Sequence, residues 1–310
     1  MATAGSNGAS SRGATYIVTG PTSGIGRATA LELAKRGAIV LVGRDAKKLE
    51  EVRQAIERKG QHATSVVCDL SDIVRVRRAA AEIIALRRPI AGLLNNAGIH
   101  GAPGTMNAQG WDKTFATNHL GPFALTEALM PHLSDGANVV FVASGVEDPE
   151  RKPAVAAGYR GGRFISVEAS ARGEWQPGGS AMPGADGYAT SKQCLLAAAL
   201  ELARENQRLR INVVEPGFTP ATALAREAPA GVRFVLKYVL TLFAPFIKYW
   251  STPKRAAGLL TRVLINEEGR SGVYFDDGGQ PMLGSVLARD PSFQHRVVAE
   301  TRALLSTVPA

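Results

Sequence analysis

Tyr188 and Lys192 stand four residues apart in the run Tyr188-Ala-Thr-Ser-Lys192. On a helix that spacing puts a phenol and an ammonium on one face. A free tyrosine, with a pKa near about 10, is a poor base at neutral pH, and a neighbouring cation favours its phenolate. The pair is a candidate for proton transfer; a solvated helix face is the plain alternative. A second run, TGPTSGIG at 19–26, places Gly20, Gly24 and Gly26 between an apolar stretch and a helical pattern. Glycines there let backbone approach a ligand closely, and the helix that follows offers free N–H groups to an anion. The G-x-x-x-G-x-G spacing differs from the commoner G-x-G-x-x-G dinucleotide fingerprint. An ordinary glycine-rich turn is its plain alternative.

Short apolar runs and helical patterns alternate over the first 215 residues and supply the elements that must position these groups. TYIVTG (15–20), AIVLVG (38–43), ATSVVCD (63–69), IAGLLNN (90–96), ANVVFVAS (137–144) and LRINVVEP (209–216) read as strands, with GVYFD (272–276) as a seventh. Helical patterns fall at 24–36, 45–59, 72–87, 111–133 and 188–206. Strands apolar throughout are covered on both faces, and strand–helix repetition gives a parallel, doubly wound sheet with right-handed crossovers. The expected fold class is therefore α/β, a Rossmann-type sheet of about seven strands in one domain over 15–310, after a loose tail at 1–14. Ligands of such sheets bind beyond the carboxyl ends of the strands. Those ends read Gly20, Gly43-Arg44, Asp69, Asn95-Asn96, Ser144 and Pro216-Gly217, which are rim residues rather than core residues.

Taken together, TGxxxGIG, NNAG (95–98), Asn118, Ser144, YxxxK and Pro216-Gly217 occur in the order found in the short-chain dehydrogenase/reductase family, and the chain resembles that family over about residues 15–222. Within it the pattern is similar to retinol-dehydrogenase-like members and to bacterial ketoreductases of aromatic polyketides. The resemblance implies a catalytic tetrad. Tyr188 is the general acid/base, and Ser144 hydrogen-bonds the substrate oxygen. Lys192 holds the nicotinamide ribose and depresses the Tyr188 pKa, and Asn118 orders a water in the proton relay. Ala143 stands where many members carry another serine, and Ser191 is a rival to Ser144. The dinucleotide is expected on Gly20, Thr22, Ser23, Gly24, Ile25 and Gly26. Its further contacts are expected from Arg44, Asp69, Leu70, Asn96, Ala97, Gly98, Tyr188, Lys192, Pro216 and Gly217. An acidic residue ending the second strand would read the ribose 2′-hydroxyl of NAD. Gly43 and Arg44 stand there instead, and an arginine pairs with a 2′-phosphate. NADP(H) is the expected cofactor, with Arg44 as a mere turn residue the alternative. Asp69 is expected at the adenine amino group.

Two segments break the rhythm. With residues 147–187, Tyr188 follows Ser144 by 44 positions, more than in most relatives, and 219–250 are apolar and basic. Both emerge at the carboxyl side of the sheet, so both are expected to fold over the substrate, the second as a helical lid; the resemblance implies that this substrate is a bulky apolar carbonyl or alcohol. Residues 234–250 also suggest peripheral contact with a membrane surface. A catalytically weak dinucleotide-sensing regulator or scaffold is the alternative function, since fold alone does not fix activity.

Composition bounds the rest. The chain has 310 residues, a net charge of +9 and 45% apolar residues, values of a globular domain. The positive charge is spread without a dense basic tract, which argues against nucleic acid. Five histidines lack ligand spacing, so no metal is expected. Cys68 and Cys194 suit a reducing compartment, and no apolar leader is visible, so a cytoplasmic protein is expected. The family makes a homo-oligomer the default, with a monomer left open.

Overall fold

The structure is a computed structural model and describes residues 13–219, 251–265 and 269–309. Strands β1 (Thr15–Thr19), β2 (Ala38–Gly43), β3 (Ala63–Val67), β4 (Ile90–Asn95), β5 (Leu133–Val142), β6 (Arg210–Val214) and β7 (Tyr274–Phe275) form one parallel sheet in the order β3-β2-β1-β4-β5-β6-β7. The order reverses between β1 and β4. That switch point opens a crevice at the carboxyl ends of the strands, where a ligand can bind. Successive strand residues serve opposite faces. Ile17 and Val139 pack into one apolar cluster, Val18 and Val140 into the other. This two-sided burial is why the strands read as continuously apolar.

The helices follow the strands. They are α1 (Gly24–Leu33), α2 (Ala46–Glu57), α3 (Ile73–Ala85), α4 (Lys113–Phe115), α5 (Gly121–Leu129), α6 (Lys152–Ala156), α7 (Val167–Ala171), α8 (Ala185–Glu205), α9 (Pro253–Leu264), α10 (Val286–Arg289) and α11 (Pro291–Ser306). Asp45 and Asp72 cap α2 and α3 by accepting backbone N–H groups with their side chains, a local reason for both starts.

The helix expected at 111–133 is broken in two places. Asp112 caps its start, and residues Ala116–Leu120 form a π turn between α4 and α5. Its end comes at Leu129, where Met130–His132 form a 3-10 turn around Pro131, so Leu133 opens β5 instead of closing a helix.

The segment 147–187 divides into two parts. α6 stands over the crevice, whereas α7 and its flanks are packed into the molecule. Phe164 meets Phe293 of α11 edge-on at 5.0 Å, and Glu300 of α11 accepts the Val167 N–H at 2.8 Å. The first part is placed to cover a ligand, and the second is a brace. The expected lid at 219–250 lies outside the described residues from 220 onward. Among the described residues no helix is long and apolar enough to cross a membrane.

Candidate active site

The Gly-rich turn is built by close packing. Gly20 and Gly24 have φ of +66° and +54°, a region that favours glycine. A Cβ on Gly26 would overlap the Gly20 carbonyl oxygen and the Asn96 side-chain nitrogen. Asn96 closes the turn by donating from Nδ2 to the Thr19 carbonyl at 2.9 Å. Thr19 Oγ1 in turn accepts the backbone N–H groups of Asn96 and Ala97, each at 3.0 Å. The ends of β1 and β4 are thereby tied together under the start of α1.

A cleft of about 820 Å³ runs along these strand ends. It is lined by Gly20, Thr22, Ser23, Gly24, Ile25 and Gly26; by Arg44, Asp69 and Leu70; by Asn96, Ala97 and Gly98; and by Ser144, Tyr188, Lys192, Pro216 and Gly217. Arg44 is exposed beyond the end of β2. Asp69 Oδ1 accepts from the Ser71 N–H and hydroxyl at 3.0 and 2.8 Å, which fixes the carboxylate at the crevice edge.

Asn118 does not line the cleft. It is fully buried in the π turn, and its side chain holds the strand-end loop from behind. Its Oδ1 accepts the Ile99 N–H at 2.8 Å, and its Nδ2 donates to the Ile99 carbonyl at 2.9 Å and to Ser191 Oγ at 3.0 Å. Ser191, buried and donating to the Tyr188 carbonyl at 2.7 Å, faces away from the cleft, so Ser144 is the serine at the site.

Tyr188 and Lys192 share a face of α8 and are both buried. The Tyr188 phenol and Ser144 face each other across the cleft, and Ser144 acts to lower the phenol's pKa. Lys192 Nζ donates to the Val142 carbonyl at 2.8 Å and lies 5.8 Å from the Tyr188 ring centre. Burial pulls the Lys192 ammonium down to about 8. The expected depression of the Tyr188 pKa is not found. Burial foremost, then the neighbouring Tyr159, push the phenol well above its ordinary value, and Ser144 only partly offsets them. The physical reason is desolvation, with the ammonium turned to a backbone carbonyl rather than to the phenol.

Several cleft residues carried no sequence signal. His100 and Tyr159 stand beside Tyr188, with ring centres 5.1 and 6.4 Å from it. Arg151 at the start of α6 pairs with Glu215 at 2.5 Å, directly ahead of Pro216. Glu215 was within reach of the strand-end reasoning. Arg151 and Tyr159 lie in an aperiodic loop, where spacing says nothing of direction.

A family model described as short chain dehydrogenase matches residues 14–159. The chain is 31% identical over 300 residues to human retinol dehydrogenase 13, covering 94% of this chain and 85% of that one. The chain belongs to the short-chain dehydrogenase/reductase family. Its type is retinol-dehydrogenase-like. Mouse polyprenol dehydrogenase is 30% identical, with 93% of this chain and 82% of the other covered. A solved blue fluorescent protein from a metagenomic library, in complex with NADPH, superposes with a TM-score of 0.64 at 26% identity, over 87% of this chain and 98% of that one. The protein is thus an oxidoreductase on a fold that binds a nicotinamide dinucleotide. The turn residues fit such a group, because the collapsed glycine packing leaves the start of α1 bare toward the cleft.

Proposed function

We propose that the protein is an NADP(H)-dependent oxidoreductase that interconverts a bulky apolar ketone or aldehyde and its alcohol. One observation carries the reading: Ser144, Tyr188 and Lys192 line the same cleft as the glycine turn and Arg44. The dinucleotide, when bound, supplies or accepts the hydride. The chain supplies the rest. Tyr188 gives its proton to the carbonyl oxygen, and Ser144 donates a hydrogen bond to that oxygen as charge develops on it. Burial holds the phenol protonated at neutral pH, the form that reduction requires. Lys192 is assigned to the nicotinamide ribose and to the proton path behind Tyr188. Asn118 keeps the Ile99 carbonyl aimed, beside the place where a relay water is expected.

Arg44 favours the 2′-phosphate of NADP, and the NADPH-bound neighbour supports that choice. The substrate class follows from the cleft wall. Val146, Pro153, Ala154, Ala157 and Met182 offer an apolar surface beside the three hydroxyls of Ser144, Tyr159 and Tyr188. Two relatives are named for retinol and polyprenol, which are apolar alcohols. The test is a screen of NADPH oxidation over ketones, aldehydes, retinoids and quinones, run in parallel with NADH. Turnover of a bulky carbonyl with NADPH supports the reading. Tight NADPH binding without turnover of any carbonyl would favour a dinucleotide-sensing regulator.

A further inference from the structure

Ser144 opens a 3-10 turn, Gly145–Glu147, in which the Glu147 N–H donates back to the Ser144 carbonyl at 3.3 Å. The Glu147 side chain points inward and is fully buried. Both carboxylate oxygens are occupied by one residue of the C-terminal segment. Oε1 accepts the Ser285 N–H at 2.8 Å, and Oε2 accepts the Ser285 hydroxyl at 2.6 Å. The Glu147 carbonyl accepts the Gly162 N–H at 2.9 Å. This one residue therefore joins the Ser144 turn, the inserted segment and the stretch that enters α10.

The protonation state is written into the hydrogen bonds. Ser285 Oγ already accepts the Ala288 N–H at 3.2 Å and Gln193 Nε2 at 3.3 Å, so its single proton is left for Glu147. Gln193 is the neighbour of Lys192 on α8. A carboxylate accepts both Ser285 donors, and an acid proton on either oxygen would meet one of them. The charged and titratable groups facing Glu147 are Asp148 from its own turn, Glu215 from the end of β6 and Tyr274 from β7. Arg151 is engaged with Glu215. α8 presents Gln193, through Ser285, and Leu196, which closes on Gly284 beside the carboxylate. Hydrogen bonding asks for the charged form while burial opposes it, and burial lifts the carboxyl to about 7.

We propose that Glu147 is a positioning residue for Ser144: its buried carboxylate, gripped by Ser285, fixes the turn that presents the Ser144 hydroxyl to the substrate oxygen. The proposal rests on Ser144 having the role given above. Protonation then loosens the grip, so turnover falls as pH drops through about 7 while cofactor affinity holds.

The test uses the full chain with Glu147→Gln, Glu147→Asp and Ser285→Ala, and with NADPH and all-trans-retinal as the probe pair. Hydrogen exchange of the 144–148 amides, which needs no turnover, is read first. Relative to the strand amides of β1 and β4, these should exchange about tenfold faster in Glu147→Gln and Ser285→Ala. In Glu147→Gln, kcat should fall about tenfold, with the NADPH dissociation constant within about twofold of wild type and the pH step near 7 gone. Ser285→Ala removes the hydroxyl donor and should move that step to higher pH, and Glu147→Asp should restore part of kcat together with the step. Unchanged exchange in both Glu147→Gln and Ser285→Ala overturns the proposal. So does a wild-type kcat and pH profile in Glu147→Gln. A wild-type chain that binds NADPH but reduces nothing refutes the reading of Ser144, and with it the positioning role; faster exchange in the variants would then record a structural anchor alone.

Discussion

Arg44→Ala separates the two nicotinamide cofactors. β2 ends at Gly43, and the Arg44 side chain is exposed at the cleft with no ion pair among the described residues. Its removal leaves no buried charge behind, so the fold is unaffected and the loss falls on the ligand. A charge-assisted contact to a phosphate contributes roughly 1.5–3 kcal/mol, so NADPH affinity should drop by about one to two decades. NADH lacks that phosphate and can lose only stacking on the guanidinium, roughly 0.5–1 kcal/mol. The complementary change is Gly43→Asp. A Cβ at Gly43 would meet nothing nearer than Leu49 Cδ2 at 3.4 Å, so a β-carbon is accommodated there. The introduced carboxylate repels the phosphate and accepts from the ribose hydroxyls, moving preference toward NADH. Fluorescence titration of both cofactors against wild type and the two variants gives the four ratios needed. The NADPH loss should also shrink at high salt, since exposed charges are screened. Equal weakening of NADPH and NADH by Arg44→Ala would show that Arg44 does not read the 2′-phosphate.

Other expectations follow from the same geometry. Gly26→Ala drives a methyl into the Gly20 carbonyl and Asn96, so thermal unfolding should show a loss of roughly 1–3 kcal/mol and titration at least about a tenfold weaker NADPH complex. Ala157→Phe adds bulk to an exposed residue on the substrate wall. It should raise KM for a bulky ketone by about tenfold, roughly 1.4 kcal/mol, while the NADPH dissociation constant stays within about twofold. The carboxyl of Glu147, lifted to about 7, favours its protonated form in the folded chain, so it costs stability progressively as pH rises from about 4.5 to 7. Glu147→Gln removes that slope. Its melting temperature relative to wild type should therefore climb between pH 5 and pH 8, by up to about 3 kcal/mol in stability, and a pH-independent difference would contradict the assignment.

The central strands were legible because they are buried on both faces and so read as apolar runs, as Ile17 and Val18 show, whereas edge strand β3 buries only Val66. The strand ends were legible because Gly20, Asp69, Ser144 and Gly217 are poor core residues at places where a core residue would otherwise stand. The π turn at Asn118 was not legible. It exists because Asn118 reaches across to Ile99 and Ser191, contacts far away in sequence. The division of 147–187 was hidden for a similar reason. Pro153 and Ala157 face the cleft, whereas Phe164 and Val167 face α11, and no periodicity distinguishes them. The Tyr188 pKa went the opposite way from a charge-only argument, because spacing reveals the lysine but not the desolvation that outweighs it.

In the proposed reaction Tyr188 supplies the proton through its phenol oxygen, which NADPH binding does not require. Tyr188→Phe removes only the phenol oxygen, and the ring still fills its place beside His100 and Tyr159. Steady-state NADPH oxidation with the best carbonyl from the screen, paired with NADPH titration of the same two proteins, is the decisive measurement. The expected result is a loss of about 10²–10⁴-fold in kcat with the dissociation constant within about twofold of wild type. A Tyr188→Phe enzyme that turns over near the wild-type rate would contradict it.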